Sequence, residues 1–176
     1  LNSNPAALDA PLKSRWLDIV GANASDAEWT KLRALAKGSK SAVERSAFYT
    51  FLGNAKDATL AKRALDLALT DEPGKTVSAS IIGAVARNHP EQAVDFAQAN
   101  QAAVDRLIDA SARARFLAGL AASSNDPAMI AKLERIAAPL PADVRKPYDK
   151  TLASLKERSV SRPRIKGEIA GWLKTK

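Results

Sequence analysis

Apolar residues recur at helical spacing along most of the chain. Leu12, Trp16, Ile19 and Val20 share one helical face. The same spacing of three and four residues returns at Val43, Ala47 and Phe51, at Leu60, Ala64 and Leu65, at Val77, Ile81 and Val85, at Met129, Leu133 and Ile136, and at Val144, Tyr148 and Leu152. This spacing is typical of amphipathic helices. No segment alternates as a strand would, so the pattern predicts an all-α protein of about ten helices.

The predicted helix starts are evenly spaced. Ser25 with Glu28, and Ser41 with Glu44, fit the capping box, in which a hydroxyl and a carboxylate satisfy two backbone amides. First helical residues are expected near Asp26, Ala42, Ala58, Lys75 and Glu91. The intervals are about 16 residues, so two of them form a helical hairpin of about 33 residues. The sequence therefore predicts an α-solenoid of stacked antiparallel hairpins, similar to HEAT and armadillo arrays.

Domain organisation follows from the same pattern. Residues 1–176 are predicted to form a single helical domain. Four prolines, at positions 139, 141, 147 and 163, predict that residues 139–163 are a Pro-interrupted region before the last helix. The chain starts with Leu1 rather than Met and enters a helical pattern almost at once, so we expect it to be a fragment from which a leader or an upstream domain has been cut away.

Catalytic chemistry has little support in the sequence. There is one His and no Cys, which excludes a Cys-His pair and a two-His zinc site. His89 lies between Asn88 and Pro90 and is interpreted as a cap or turn residue. Asp105 and Asp109 share a helical face but are expected to pair with nearby arginines. No glycine-rich phosphate loop is present. We therefore predict no catalytic and no metal-binding residues in this chain, and no cofactor is expected in it.

Charge suggests one candidate binding site. The formal net charge is +8, spread over most helices, with a denser group near the end that is interpreted as a solvated helix face. Arg113 and Arg115 lie about 200° apart around a helix, so one is expected to face a groove and the other solvent. Either could anchor an acidic ligand or a peptide C-terminus, because a guanidinium grips a carboxylate bidentately. The alternative is an ion pair with Asp109 or a bond to a helix-end carbonyl.

The order of several segments resembles the C-terminal helical domain of zinc aminopeptidases of the aminopeptidase N and puromycin-sensitive aminopeptidase family. The resemblance covers roughly residues 12–173 and rests on order and spacing. The segments that carry it are residues 26–29, 41–45, 51–57, 65–72 (Leu-Asp-Leu-Ala-Leu-Thr-Asp-Glu), 93–96 (Ala-Val-Asp-Phe) and 115–120 (Arg-Phe-Leu-Ala-Gly-Leu).

This resemblance implies a parent enzyme that removes N-terminal residues from peptides with a zinc held by H-E-x-x-H and a distant Glu, none of which lie in this chain. It implies a non-catalytic domain that encloses the substrate chamber and contacts the distal end of the peptide, for which Arg113 and Arg115 are the candidates. The expected partners are the catalytic domain of the same polypeptide, which would hold the zinc, and the peptide substrate.

Two other interpretations stay open at this level. The chain could be a stand-alone helical-repeat module that binds a protein along its concave face. A basic helical-repeat nucleic-acid binder is disfavoured by the interspersed Asp and Glu, and no nucleic acid is expected as partner.

No apolar run reaches the roughly 18 residues of a membrane span, so a soluble protein is expected, either cytoplasmic or exported.

Overall fold

The computed structural model describes residues 10–174, which form helices and no strand. Residues 1–9 and 175–176 of the predicted domain lie outside the described residues. The ten helices are α1 Ala10–Ala22, α2 Asp26–Gly38, α3 Ala42–Gly53, α4 Ala58–Ala68, α5 Lys75–Asn88, α6 Pro90–Ala99, α7 Gln101–Leu107, α8 Arg113–Leu120, α9 Ala128–Ala137 and α10 Ala142–Lys174. The predicted all-α class and helix number are confirmed.

Local capping explains where the early helices begin. The Ser25 hydroxyl accepts from the Glu28 amide, and the Glu28 carboxylate accepts from the Ser25 amide at 2.8 Å. Ser41 caps α3 through its hydroxyl, and the Asp57 carboxylate caps α4. Each cap satisfies amides that the first helical turn leaves without partners. The predicted starts of α2 to α5 are confirmed, and α6 begins one residue earlier than expected, at Pro90.

The helices form a two-layer stack of hairpins. In one layer α1, α3, α5, α8 and α10 pack successively on one another. In the other, α2 packs on α1 and α3, α4 on α3 and α5, α6 on α5 and α8, and α9 on α10. Helix α5 is central, and its Ile81, Ile82 and Val85 are fully buried. The inner hairpins bury their apolar faces against their neighbours, as an α-solenoid requires, whereas Trp16 of α1 and Ile169 of α10, at the two ends of the stack, stay exposed.

Two glycines allow the first-layer helices to approach closely. A Cβ on Gly53 of α3 would lie 2.7 Å from the Ile81 carbonyl oxygen and 2.8 Å from the Ala84 Cβ of α5. A Cβ on Gly21 of α1 would lie 2.6 Å from the Phe51 carbonyl oxygen of α3. No side chain fits at these separations, so the spacing of α1, α3 and α5 depends on both glycines.

Polar contacts join each hairpin to the next at one edge of the stack. They connect residues 33 to 37 positions apart, the interval of one hairpin. Lys56 donates to the Asn23 side-chain oxygen at 3.1 Å, and a His89 ring nitrogen bonds the Ala55 carbonyl at 2.9 Å. Arg158 continues the series by donating to the Ala122 carbonyl. We call this series the hairpin ladder; it matches the repeat length predicted from the helix starts.

The last helix corrects one prediction. Residues 139–163 do not form a Pro-interrupted region before a separate last helix, because α10 runs without a break from Ala142 to Lys174 with Pro147 and Pro163 inside it. Proline removes one intrahelical hydrogen bond and leaves a carbonyl without its partner. Around Pro163 the helix is exposed, so water can solvate the freed Ser159 carbonyl and the helix continues.

A partly buried carboxylate ties the second hairpin to the first. Arg33 donates to Glu72 through two nitrogens, at 2.9 and 2.7 Å, and the Tyr49 hydroxyl donates to the same carboxylate at 3.2 Å. The hydrogen bonds from Arg33 hold the pKa of Glu72 below its ordinary value of 4.5. A bidentate guanidinium–carboxylate pair is among the stronger polar contacts in proteins, so this contact fixes α2 against the turn before α5.

Substitution of Gly53 by Ala is expected to destabilise the stack. The added methyl group has to push α3 away from α5, an overpacking that typically costs about 1–3 kcal/mol. Gly83, inside α5, has no atom of another helix within 4 Å of where a Cβ would lie. Gly83→Ala is therefore expected to stabilise by up to about 1 kcal/mol through helix propensity. Urea unfolding of both variants measures the two effects, and equal effects would contradict the close-approach explanation.

Removal of the Glu72 charge is expected to change the acid sensitivity of the fold. Because the pKa of Glu72 is lowered in the folded state, its contribution is complete above pH 4.5 and is lost as the pH falls below that value. Glu72→Gln should cost about 1–2 kcal/mol near neutral pH. Below pH 4.5 the difference from the original chain should shrink. Urea unfolding between pH 3 and 7 would show this convergence, and a constant difference would contradict it.

Candidate functional site

A groove rich in cations lies between the start of α5 and the α7–α8 region. Its volume is about 910 Å³. The charged side chains on its walls are Lys75, Arg106, Arg113, Arg115, Asp105 and Asp109. We call it the cationic groove. Both candidate arginines of the short α8 line this groove, Arg113 half-buried and Arg115 exposed to solvent.

The turn before α5 places Lys75 at the groove. Gly74 has a φ of 82°, a conformation that side chains other than glycine rarely adopt. This turn starts α5 at Lys75 with no side-chain cap. The free amides of the first turn carry partial positive charge, which adds to the lysine charge at this end of the groove.

Arg113 is already bound to the protein. Its Nε and Nη2 donate to the Asp105 carbonyl oxygen at 3.1 and 2.8 Å, and Nε also donates to the Ile108 carbonyl at 3.3 Å. These carbonyls lie at the end of α7, where the helix leaves them without amide partners. Arg113 therefore holds the end of α7 against the start of α8. This is the bond to a helix-end carbonyl that was the alternative to ligand binding.

Arg115 differs from Arg113 in its surroundings. It is exposed on the second residue after the start of α8. Among residues 10–174 it has no hydrogen bond or ion pair to another side chain or carbonyl. Its guanidinium is therefore available for an anionic ligand, together with Lys75 and Arg106 on the same walls. Nothing in the structure tests the assignment of either arginine to substrate, and that role stays a prediction.

The other singled-out residues have structural roles in the described part of the chain. His89 forms the junction of α5 and α6 and bonds the Ala55 carbonyl, which confirms it as a cap and turn residue. The Asp105 carboxylate lies 3.9 Å from Arg113 Nε. Within residues 10–174, no group of three or more His, Asp or Glu side chains is placed to hold a metal ion. A zinc ion therefore has no fitting ligand set in this part of the chain.

The basic group near the end is only partly a solvated face. Arg158 and Arg162 bind the loop before α9: Arg158 donates to the Ala122 carbonyl, and Arg162 donates to the Asn125 side-chain oxygen. Lys156 pairs with Glu134 at 2.6 Å, and Arg164 lies near Glu168 on the exposed part of α10. Lys176 lies outside the described residues. Arg158 and Arg162 therefore extend the hairpin ladder.

Sequence reasoning missed the contribution of Lys75 and Arg106 to the groove. Lys75 begins α5 and lies 40 positions before Arg115, so only the stacking of different hairpins brings the two together. Its neighbourhood in the sequence contains one useful signal, the Pro-Gly turn at residues 73–74 that sets the start of α5.

Two comparisons bear on the identity of the chain. The sequence model of the family described as ERAP1-like C-terminal domain matches residues 1–157. No curated protein matches the sequence. The family match covers most of the chain and ends within α10.

No helix among residues 10–174 is long and apolar enough to cross a membrane.

The two candidate arginines are expected to differ in their effect on stability. Arg113→Ala leaves the last carbonyls of α7 without donors and should cost about 1–2 kcal/mol. Arg115→Ala removes an exposed side chain and should change the free energy of unfolding by less than about 0.5 kcal/mol. Urea unfolding of both variants provides the comparison. An equal loss of unfolding free energy in both variants would contradict the assignment of Arg115 as a residue that the fold does not use.

Proposed function

The chain belongs to the ERAP1-like C-terminal domain family, and from this premise we propose that it is the non-catalytic C-terminal domain of a zinc aminopeptidase. The observation that carries the proposal is the family match over residues 1–157. The parent enzyme would hydrolyse N-terminal residues from peptides. The domain would enclose the substrate chamber, with residues 1–176 as one unit.

The chemistry of hydrolysis is assigned to another part of the same polypeptide. His89 is the single histidine of this chain, and its ring is bonded to the Ala55 carbonyl. A catalytic zinc needs three protein ligands and an open position. Zinc and the catalytic base would therefore lie in a catalytic domain, which is the proposed intramolecular partner of this helical stack.

The cationic groove is the proposed contact for the distal end of the peptide. Every unblocked peptide carries a negative carboxylate at its C-terminus, whatever its sequence. Arg115, Lys75 and Arg106 provide positive charge on the groove walls, and Arg115 is not used by the fold. Arg113 would contribute indirectly, since its bonds to the Asp105 and Ile108 carbonyls shape the wall. Such exposed charges attract a carboxylate modestly and in a salt-dependent way.

The test uses the complete enzyme and peptides of different length. A long peptide with a free carboxylate should lose about fivefold in kcat/KM when Lys75 and Arg115 are both changed to Ala. An aminoacyl anilide, which has no distal carboxylate, should be unaffected. The same long peptide with an amidated C-terminus should already be slow and should lose nothing further from the substitutions.

Lys62→Ala is the matched control for this experiment. Lys62 is an exposed cation of α4 that pairs with Asp66 at 2.7 Å and lies outside the cationic groove. Its removal should leave all three substrates unchanged. If the Lys75 and Arg115 variants hydrolyse long, amidated and anilide substrates as the original enzyme does, the groove does not contact the peptide end.

A further inference from the structure

A second cavity adjoins the α7–α8 region and shares Asp105, Ala110 and Arg113 with the cationic groove. It has a volume of about 550 Å³ and is formed by α6, α7, α8, α9 and the first turns of α10. Its apolar walls include Val94, Leu117, Leu120, Leu133, Ile136 and Val144. We call it the α6–α10 pocket. An apolar cavity of this size with a few polar groups has the usual character of a small-molecule site.

The phenol of Tyr148 opens into this pocket without a partner. The residue is only 2% exposed and lines the cavity. Its hydroxyl has no hydrogen bond to any described residue, and it is not among the polar atoms sealed from solvent. Burial raises the pKa of Tyr148, and the nearby Asp105 carboxylate raises it further, so the phenol keeps its proton. The hydroxyl is thus open to water in the cavity and can donate to a ligand that displaces this water.

The charged side chains on the pocket walls are Asp105, Arg113 and Arg135, one carboxylate and two guanidinium groups. The side chain of Asp105 is 28% exposed, and its carboxylate accepts no hydrogen bond within residues 10–174, since Arg113 Nε lies 3.9 Å away and donates to carbonyls instead. Arg135, at the end of α9, likewise has no acceptor in that part of the chain. Arg113 is committed to backbone carbonyls, so the pocket offers a ligand the part-exposed Asp105 carboxylate, the exposed Arg135 guanidinium and the Tyr148 phenol, beside apolar walls.

We propose that the α6–α10 pocket binds a free apolar α-amino acid as its zwitterion. The ammonium group bonds to the Asp105 carboxylate, the ligand carboxylate to the Arg135 guanidinium, and the apolar side chain lies against Leu117, Leu133 and Ile136. Tyr148 donates to the ligand carboxylate. Charge-assisted hydrogen bonds of this kind are stronger than neutral ones, and the apolar walls limit their competition with water.

Other ligand classes leave one of these groups unsatisfied. A peptide C-terminus or a fatty acid carries a carboxylate but no ammonium, so Asp105 stays without a donor. An amino-acid amide or an amine leaves Arg135 without an anion. Glycine has no side chain for the apolar walls. An apolar amino acid satisfies all three features with one small molecule.

The inference differs from the contact assigned to the cationic groove in both cavity and ligand. Its meaning for the parent reaction rests on the proposed function: an aminopeptidase releases free amino acids, so the pocket would bind a product of the enzyme. Binding itself is measured on residues 1–176 without any hydrolysis. A failure of the binding test therefore leaves the aminopeptidase proposal untouched. An inactive parent enzyme would likewise leave the binding of amino acids by this pocket untouched.

Calorimetric titration of the chain with L-phenylalanine and L-leucine tests the proposal. One molecule should bind per chain. N-acetyl-L-phenylalanine and L-phenylalanine amide, which each lack one charge, should bind at least about tenfold more weakly, and glycine should not bind measurably. Asp105→Asn and Arg135→Gln should each lower the affinity for L-phenylalanine by about tenfold, and Tyr148→Phe should lower it by about threefold.

Two control variants separate the pocket from general charge effects. Asp109→Asn and Arg106→Gln remove the same charges from the cationic groove, and neither residue lines the α6–α10 pocket. Both should bind L-phenylalanine as the original chain does, and thermal unfolding confirms that every variant is folded. The proposal is overturned if neither amino acid binds up to about 10 mM, if N-acetyl-L-phenylalanine binds equally well, or if the controls weaken binding as much as the pocket variants.

Discussion

The whole structure depends on one packing constraint: a hairpin of about 33 residues cannot bury its apolar face alone and has to stack on its neighbours. The close approach of α3 to α5 at Gly53 satisfies this constraint at the centre of the stack. Register is fixed at the edge, where the side chain of Asn54, 6% exposed, donates to Asp18 and accepts from Arg87. Stacking buries the apolar stripes, and the hairpin ladder keeps successive hairpins from sliding.

The same constraint determines where openings form in the described part of the chain. Stacked hairpins leave openings between them, and both the cationic groove and the α6–α10 pocket are lined by residues of the short helices α7 and α8. Arg113 lines both cavities and is held by the carbonyls at the end of α7. The α7–α8 region is thus the part of the described chain where charge, open volume and a rigid scaffold coincide.

Local sequence signals are sufficient to predict the helices but not the two cavities. The capping box at Ser25 and Glu28 acts within four residues, so the sequence shows it directly. The continuation of α10 past Pro163 depends on solvation of one carbonyl, which local proline rules do not include. The groove and the pocket unite residues from different hairpins, such as Lys75 with Arg115 and Asp105 with Tyr148. Their proximity follows from stacking, which no single segment encodes.

We propose that this helical stack serves a zinc aminopeptidase without performing its chemistry. The most direct measurement compares hydrolysis of an aminoacyl anilide by the complete natural polypeptide and by residues 1–176 alone, with and without a zinc chelator. The account predicts chelator-sensitive release of the amino acid by the complete polypeptide and no release by residues 1–176. An inactive complete polypeptide, or turnover by the isolated chain, would contradict it.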